Sequence, residues 1–147
     1  MSRIIEVNLG DLIPNNEYNY EVNLQRARGR WDQKKFEDGS WIEVYELDGR
    51  YFLPDGDHRV YVAYFEKKLQ FAKAKLVERQ DYEGLFCVWD PNMPQWEYTI
   101  DKYRTWRDEI AQQGVNSIKD LERRVLPGSW QDALRSEYGL PRCLATT

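Results

Sequence analysis

Asp48-Gly49 is the pair that most restricts what this chain can fold into. A two-residue hairpin loop needs φ > 0 at both corners, and Asp-Gly supplies it at little cost. Strand formers flank the pair, Glu43-Val44-Tyr45-Glu46 before it and Arg50-Tyr51-Phe52-Leu53 after it, so the spacing predicts a tight β-hairpin. The second strand runs into Pro54-Asp55-Gly56-Asp57-His58-Arg59, which gathers two carboxylates, a glycine, the single histidine and an arginine. Beyond this turn, Val60, Tyr61, Ala63, Tyr64 and Phe65 predict a short helix ending near Lys67-Lys68. A strand, a glycine turn and a helix start together present free backbone N–H groups to an anion. Any chemical site is expected there.

Elsewhere the pattern is plainer. Arg3–Asn8 predicts a strand, residues 9–16 a turn closed by Pro14, and Tyr18-Asn19-Tyr20 a loop. From Asn23 to Asp38, Leu24, Ala27 and Trp31 recur at helical steps, with Gly39 placed to stop one helix and Gly29 weakening its middle. Ala72–Arg79 alternates as a further strand. A brief apolar piece at Leu85–Trp89 ends at Asp90-Pro91-Asn92-Met93-Pro94, after which the chain reads as helical. Trp96, Ile100, Tyr103, Trp106 and Ile110 form an apolar stripe ending at Gly114. Ser117…Asp120 and Ser129…Asp132 resemble capping boxes with Asp in place of Glu. Ile118, Leu121 and Val125 are the expected inward residues after the first box, Trp130, Ala133, Leu134 and Tyr138 after the second, with Gly139 and Pro141 as the stop. The expected architecture is α/β (α+β): a small mixed sheet over residues 1–80, and a helical C-terminal half over 81–147 packed on it.

A net charge of −4 argues against coating DNA by bulk electrostatics, though it leaves room for a local basic patch. Six Trp and ten Tyr can build a core whose rim is aromatic. Cys87 and Cys143 have no metal-ligand spacing and read as reduced thiols. No apolar run is long enough to span a membrane, and no signal peptide is apparent, so the sequence points to a cytoplasmic protein.

The succession Val7–Asn15, helix, Ile42-Glu43-Val44, Asp48-Gly49-Arg50-Tyr51, Asp55-Gly56-Asp57-His58-Arg59-Val60 and Ala72–Glu78 resembles the ParB/sulfiredoxin superfamily, including ParB N-terminal and ParB-like nuclease domains. The resemblance covers residues 3–79, and the Asp-Gly-x-His-Arg turn is its most specific part. It implies that the turn holds the phosphates of a nucleotide, with Gly56 allowing close approach, the N–H groups after Asp57 pointing at the phosphate, and Arg59 adding a charged bond. Asp55 and His58 would be the polar flank. Phosphoryl transfer or phosphodiester hydrolysis would then draw on Asp55, Asp57 and His58, with Mg²⁺ on Asp55 and Asp57. Sulfiredoxin chemistry needs a cysteine where this chain has Asp57, so sulfinic-acid reduction is excluded. Glu21-x-Asn23-Leu24-Gln25-Arg26 faintly resembles a nucleotide-contacting run of ParB, but it precedes the turn instead of following it.

Each of these residues also has a plain structural reading. Asp57 can simply cap its helix, and His58 and Arg59 can be solvated first-turn residues. Arg26 and Arg30, four apart on a helix, could together meet a polyphosphate or a nucleic-acid backbone, or they could be a solvated face paired with Asp32 and Glu21. A second acidic group near the turn is sought among Glu6, Glu17 and Glu21. Two functions stand: a nucleotide-dependent enzyme acting at the turn, and a non-catalytic module whose helical half binds a protein partner or a second copy.

Overall fold

The computed structural model describes residues 2–77 and 100–133. The expected pieces at Leu85–Trp89 and Asp90–Pro94, together with Trp96, Cys87, Cys143, Leu134, Tyr138 and the Gly139/Pro141 stop, lie outside the described residues.

The chain begins with β1 (Ser2–Asn8), followed by a 3-10 turn at Leu9–Asp11. After β2 (Asn19–Tyr20) come α1 (Glu21–Gly29) and α2 (Gln33–Asp38). The hairpin is β3 (Glu43–Leu47) and β4 (Arg50–Phe52), turning on Asp48 and Gly49 at φ 54° and 77° as Asp-Gly predicts. Next are α3 (Asp57–Tyr61), which widens into a π-helical turn at Val62–Glu66, and β5 (Phe71–Val77). Residues 100–133 supply α4 (Ile100–Gln112), a 3-10 turn at Ile118–Leu121 and β6 (Val125–Leu126).

Four strands form a mixed sheet in the order β1-β5-β3-β4, with β1 antiparallel and β3 parallel to β5. The expected same-sheet placement of β4 and Ala72–Val77, with a helix starting at Asp57, is what the structure has. Alternation sets the faces. Val7 opposes Ala72, and Ala72, Ala74 and Leu76 turn inward while Phe71 and Lys73 turn to solvent. The inner face meets Leu24, Val60, Val62 and Ala63 in one core. Ile110, Val115, Ile118 and Leu121 belong to that same core, so residues 100–133 complete it.

Three expectations need correction. The helix over 23–38 is two helices. Arg30 already leaves helical ψ (ψ 6°), and Asp32 starts α2 by accepting the N–H groups of Lys34 and Lys35 at 3.1 and 3.2 Å. Asn19–Tyr20, expected as loop, pairs in parallel with Val125–Leu126, and Val125 is therefore strand and not a helix face. The C-terminal half is thus not wholly helical. A two-residue strand carries too little alternation to be seen in sequence. The Ser117 box does form, with the Asp120 carboxylate accepting from the Asn116 and Ser117 N–H groups. Ser129 Oγ accepts from the Asp132 N–H at 3.1 Å.

Candidate functional site

The turn after β4 is shaped by one glycine. Leu53 N–H bonds the Ile13 carbonyl (2.9 Å), ending the strand region. Gly56 then takes φ 99° and caps α3 without a side chain. Val60 N–H closes the first helical bond on the Gly56 carbonyl (3.0 Å). The N–H groups of Asp57, His58 and Arg59 come before it, in the stretch that has no intrahelical acceptor.

Asp57 is therefore not the cap that its plain structural reading offered. It sits at the first helical position, only 3% exposed, with its carboxylate turned onto the preceding loop. Both oxygens accept the Asn15 N–H (3.0 Å each), and Oδ2 also accepts the Asn16 N–H (2.8 Å). Burial pushes its carboxyl up to about 7, against the pull of those N–H groups, with Asp55 and Glu17 adding to the rise. His58 performs a parallel task. Its Nε2 accepts the Tyr20 N–H at 3.0 Å, and burial pushes the imidazole down to about 4. A neutral ring accepting at Nε2 carries its hydrogen on Nδ1. From the far side, Trp106 Nε1 donates to the Asn15 carbonyl at 2.6 Å. Asp57 and His58 thus clamp residues 15–20 through bonds to main-chain N–H groups.

The other turn residues face a cleft of about 270 Å³ between the start of α3 and the α1–α2 connection. Asp55, Gly56, His58 and Arg59 line one wall. Arg59 Nη1 is steadied by the Trp41 carbonyl at 3.0 Å. Asp55 accepts the Gly56 N–H at 2.8 Å through Oδ1. Burial pushes its carboxyl up, while the Gly56 N–H and the charge of Arg59 hold it back. The facing wall carries Asn23, Arg26 and Arg30, then Asp32 and Lys35 of α2. Arg26 and Arg30, expected on one helix face, reach the same cleft although α1 stops between them and α2. Glu21 opens α1 as an exposed residue and does not line the cleft; neither do Glu6 and Glu17.

Four cationic side chains (Arg26, Arg30, Lys35 and Arg59) therefore face two carboxylates (Asp32 and Asp55) in a chain whose net charge is −4. Arg26, Arg30 and Lys35 form no ion pair among the described residues. Arg28, between them in sequence, is committed elsewhere, forked onto Glu66 at 2.7 and 2.6 Å. The remaining wall is aromatic: Trp31, Phe36 and Trp41, with ring centroids 4.9 to 6.0 Å apart. Lys35 and this aromatic group were not singled out from sequence as site residues. The signal was the Gly29-Arg30 break followed by an Asp32 cap, which turns Trp31 out of the helix that would otherwise bury it.

A metal fits this arrangement poorly. Asp57 spends both oxygens on N–H groups and Asp55 spends one. Among the described residues no group of three His, Cys, Asp or Glu side chains stands together as a metal site. The expected Mg²⁺ ligation by Asp55 and Asp57 therefore lacks a ligand set.

No family model matches the chain, and no curated protein does. A solved structure, the crystal structure of protein Atu1540 from Agrobacterium tumefaciens, is similar, with a TM-score of 0.50 and 16% identity over 93% of this chain and 70% of that one. At that identity the likeness speaks for the mixed α/β fold alone. No helix among the described residues is long and apolar enough to cross a membrane.

Proposed function

We propose that this chain is a ParB/sulfiredoxin-like protein that binds a phosphate-bearing small molecule, a nucleotide foremost, in the cleft beside the Asp55–Arg59 turn. The observation that carries the reading is the convergence of Arg26, Arg30, Lys35 and Arg59 on one cleft of an acidic chain. Gly56 supports the reading, because its φ of 99° lets the turn bring the first N–H groups of α3 beside the cleft. Guanidinium groups suit phosphate because their planar fork donates two parallel bonds.

Within this proposal Asp55 is the residue suited to move a proton. Its Oδ2 makes no hydrogen bond among the described residues, and burial raises its carboxyl above the ordinary aspartate value. Asp57 and His58 become positioning residues that hold the 15–20 loop against the turn. A binding protein without turnover is the reading to set beside it, favoured by that double commitment of Asp57 and His58.

Titration calorimetry with a panel of nucleotides, with and without added Mg²⁺, tests the proposal. Arg59→Ala removes a charged hydrogen bond worth about 1.5–3 kcal/mol and is expected to weaken binding about 10- to 100-fold. Gly56→Val is expected to weaken it as well, through the φ that valine resists. Equal affinity of wild type and Arg59→Ala overturns the site. Phosphoryl transfer or hydrolysis that survives Asp55→Asn removes Asp55 from the chemistry.

A further inference from the structure

We infer that Trp31 is the specificity-determining residue of the cleft, and that the ligand is a phosphate ester carrying one planar aromatic ring, of the nucleoside monophosphate class. The inference rests on the phosphate reading above and adds what the anion-binding groups alone do not say. A phosphate held at Arg59 or at Arg26 and Arg30 fills only part of about 270 Å³, and the rest of the space is walled by aromatic rings. Pockets for ordinary small-molecule ligands begin at roughly 300 Å³, so the space suits one compact organic molecule and not a polymer.

Among the three rings, Phe36 and Trp41 are only 9% and 8% exposed, whereas Trp31 is half-buried and offers the accessible surface. Its ring is held in advance of binding. Phe36 lies 5.0 Å away and Trp41 6.0 Å away edge-on, Nε1 donates to Gln33 Oε1 at 3.1 Å, and the Lys67 ammonium sits 4.6 Å from the ring centroid. Lys67 does not line the cleft, so the indole surface that does is left for a ligand. An indole fixed by neighbours loses little conformational freedom on binding. A second planar ring stacks on it. Cations on both walls with an indole between them match a molecule whose ring and phosphate are joined by a short linker.

Calorimetry of the whole chain with AMP, CMP, ribose 5-phosphate and inorganic phosphate separates the two layers of the argument. AMP or CMP is expected to bind about 10- to 100-fold more tightly than ribose 5-phosphate, the range that stacking of a base on an aromatic side chain gives. Trp31→Leu is expected to reduce that ratio to about threefold or less, and Trp31→Phe is expected to keep most of it. Should the leucine variant fail to melt cooperatively, the wild-type ratio and the phenylalanine variant decide. Equal binding of ribose 5-phosphate and both nucleotides, or a ratio that survives Trp31→Leu, overturns the ring inference while leaving phosphate binding intact. Absence of binding by all four compounds overturns the phosphate reading and this inference with it.

Discussion

Asp57, buried, and its half-buried neighbour His58 load the pH dependence of folding in opposite directions. Moving a carboxyl from 3.8 to about 7 favours the folded state when it is protonated. That stability is full below 3.8 and is lost as pH rises through 7, at about 1.4 kcal/mol per pH unit, roughly 4 kcal/mol in all. Moving an imidazole from 6.5 to about 4 favours the folded state when the ring is neutral. That stability is full above 6.5 and is lost as pH falls through 4, roughly 3 kcal/mol in all. Between pH 4 and 6.5 the two slopes have nearly equal size and opposite sign, so in wild type they cancel. Asp57→Asn removes the falling slope and is expected to leave a chain that gains about 2 kcal/mol of stability from pH 4.5 to 6. His58→Gln, whose Oε1 can still accept the Tyr20 N–H, is expected to lose about as much over the same interval. Urea unfolding at each pH, extrapolated to water, reads both. Differences from wild type remove what is shared, including Asp38, held low by the Ser40 hydroxyl, and Asp48, held low by Arg104 and Arg107. If the Asn15 and Asn16 N–H groups outweighed burial, the wild-type-minus-Asp57→Asn difference would instead rise with pH. That outcome refutes the reasoning.

Three further substitutions test the frame. Ile110 has no exposed surface and lies in the shared core, so Ile110→Ala should cost about 2–5 kcal/mol in the same unfolding assay. Gly39 ends α2 at φ 83°, where a Cβ would meet Ile4 Cγ2 at 2.9 Å and Lys73 Cβ at 3.2 Å, so Gly39→Ala should cost at least about 1–2 kcal/mol in melting experiments. Asn19 is fully buried, and neither side-chain polar atom is bonded among the described residues; Asn19→Leu should stabilise by about 1–2 kcal/mol, and a loss of that size would mean the amide is satisfied in solution.

What could be read from sequence was what local chemistry decides. The hairpin at Asp48-Gly49 follows from two dihedral angles, and the helix start at Asp57 follows from Gly56 before it. Alternation located β5 because one face had to be buried, and the Ile and Val residues of Arg3–Asn8 located β1. The partners of Asp57 and His58 could not be read. They are main-chain N–H groups 38 to 42 residues away, and such groups are the same in every residue but proline. The turn therefore looked like a cluster of reactive side chains, when two of its members brace a loop. Arg26 and Arg30 reached the cleft for a different reason than helix spacing gave, since the break after Gly29 folds α2 back and adds Lys35 and Trp31 beside them.

The short parallel pairing of β2 with β6 also bears on when the site can exist during synthesis. Tyr20 faces Leu126, the Arg124 carbonyl takes the Asn19 N–H, and Asn23 Oδ1 takes the N–H of Trp130. Asn23, which borders the cleft, and its neighbours Asn19 and Tyr20 thus wait for partners emerging more than a hundred positions later. With elongation at about 5–20 residues per second, the stretch from Val77 to Trp130 takes roughly 3–10 seconds to leave the ribosome. The four-stranded sheet can assemble on the nascent chain in that interval, with the 15–20 loop still unlatched at its C-terminal side. Ligand capture would begin only after Trp130 has docked, so a ribosome-stalled chain ending before residue 126 should have a sheet but no competent cleft.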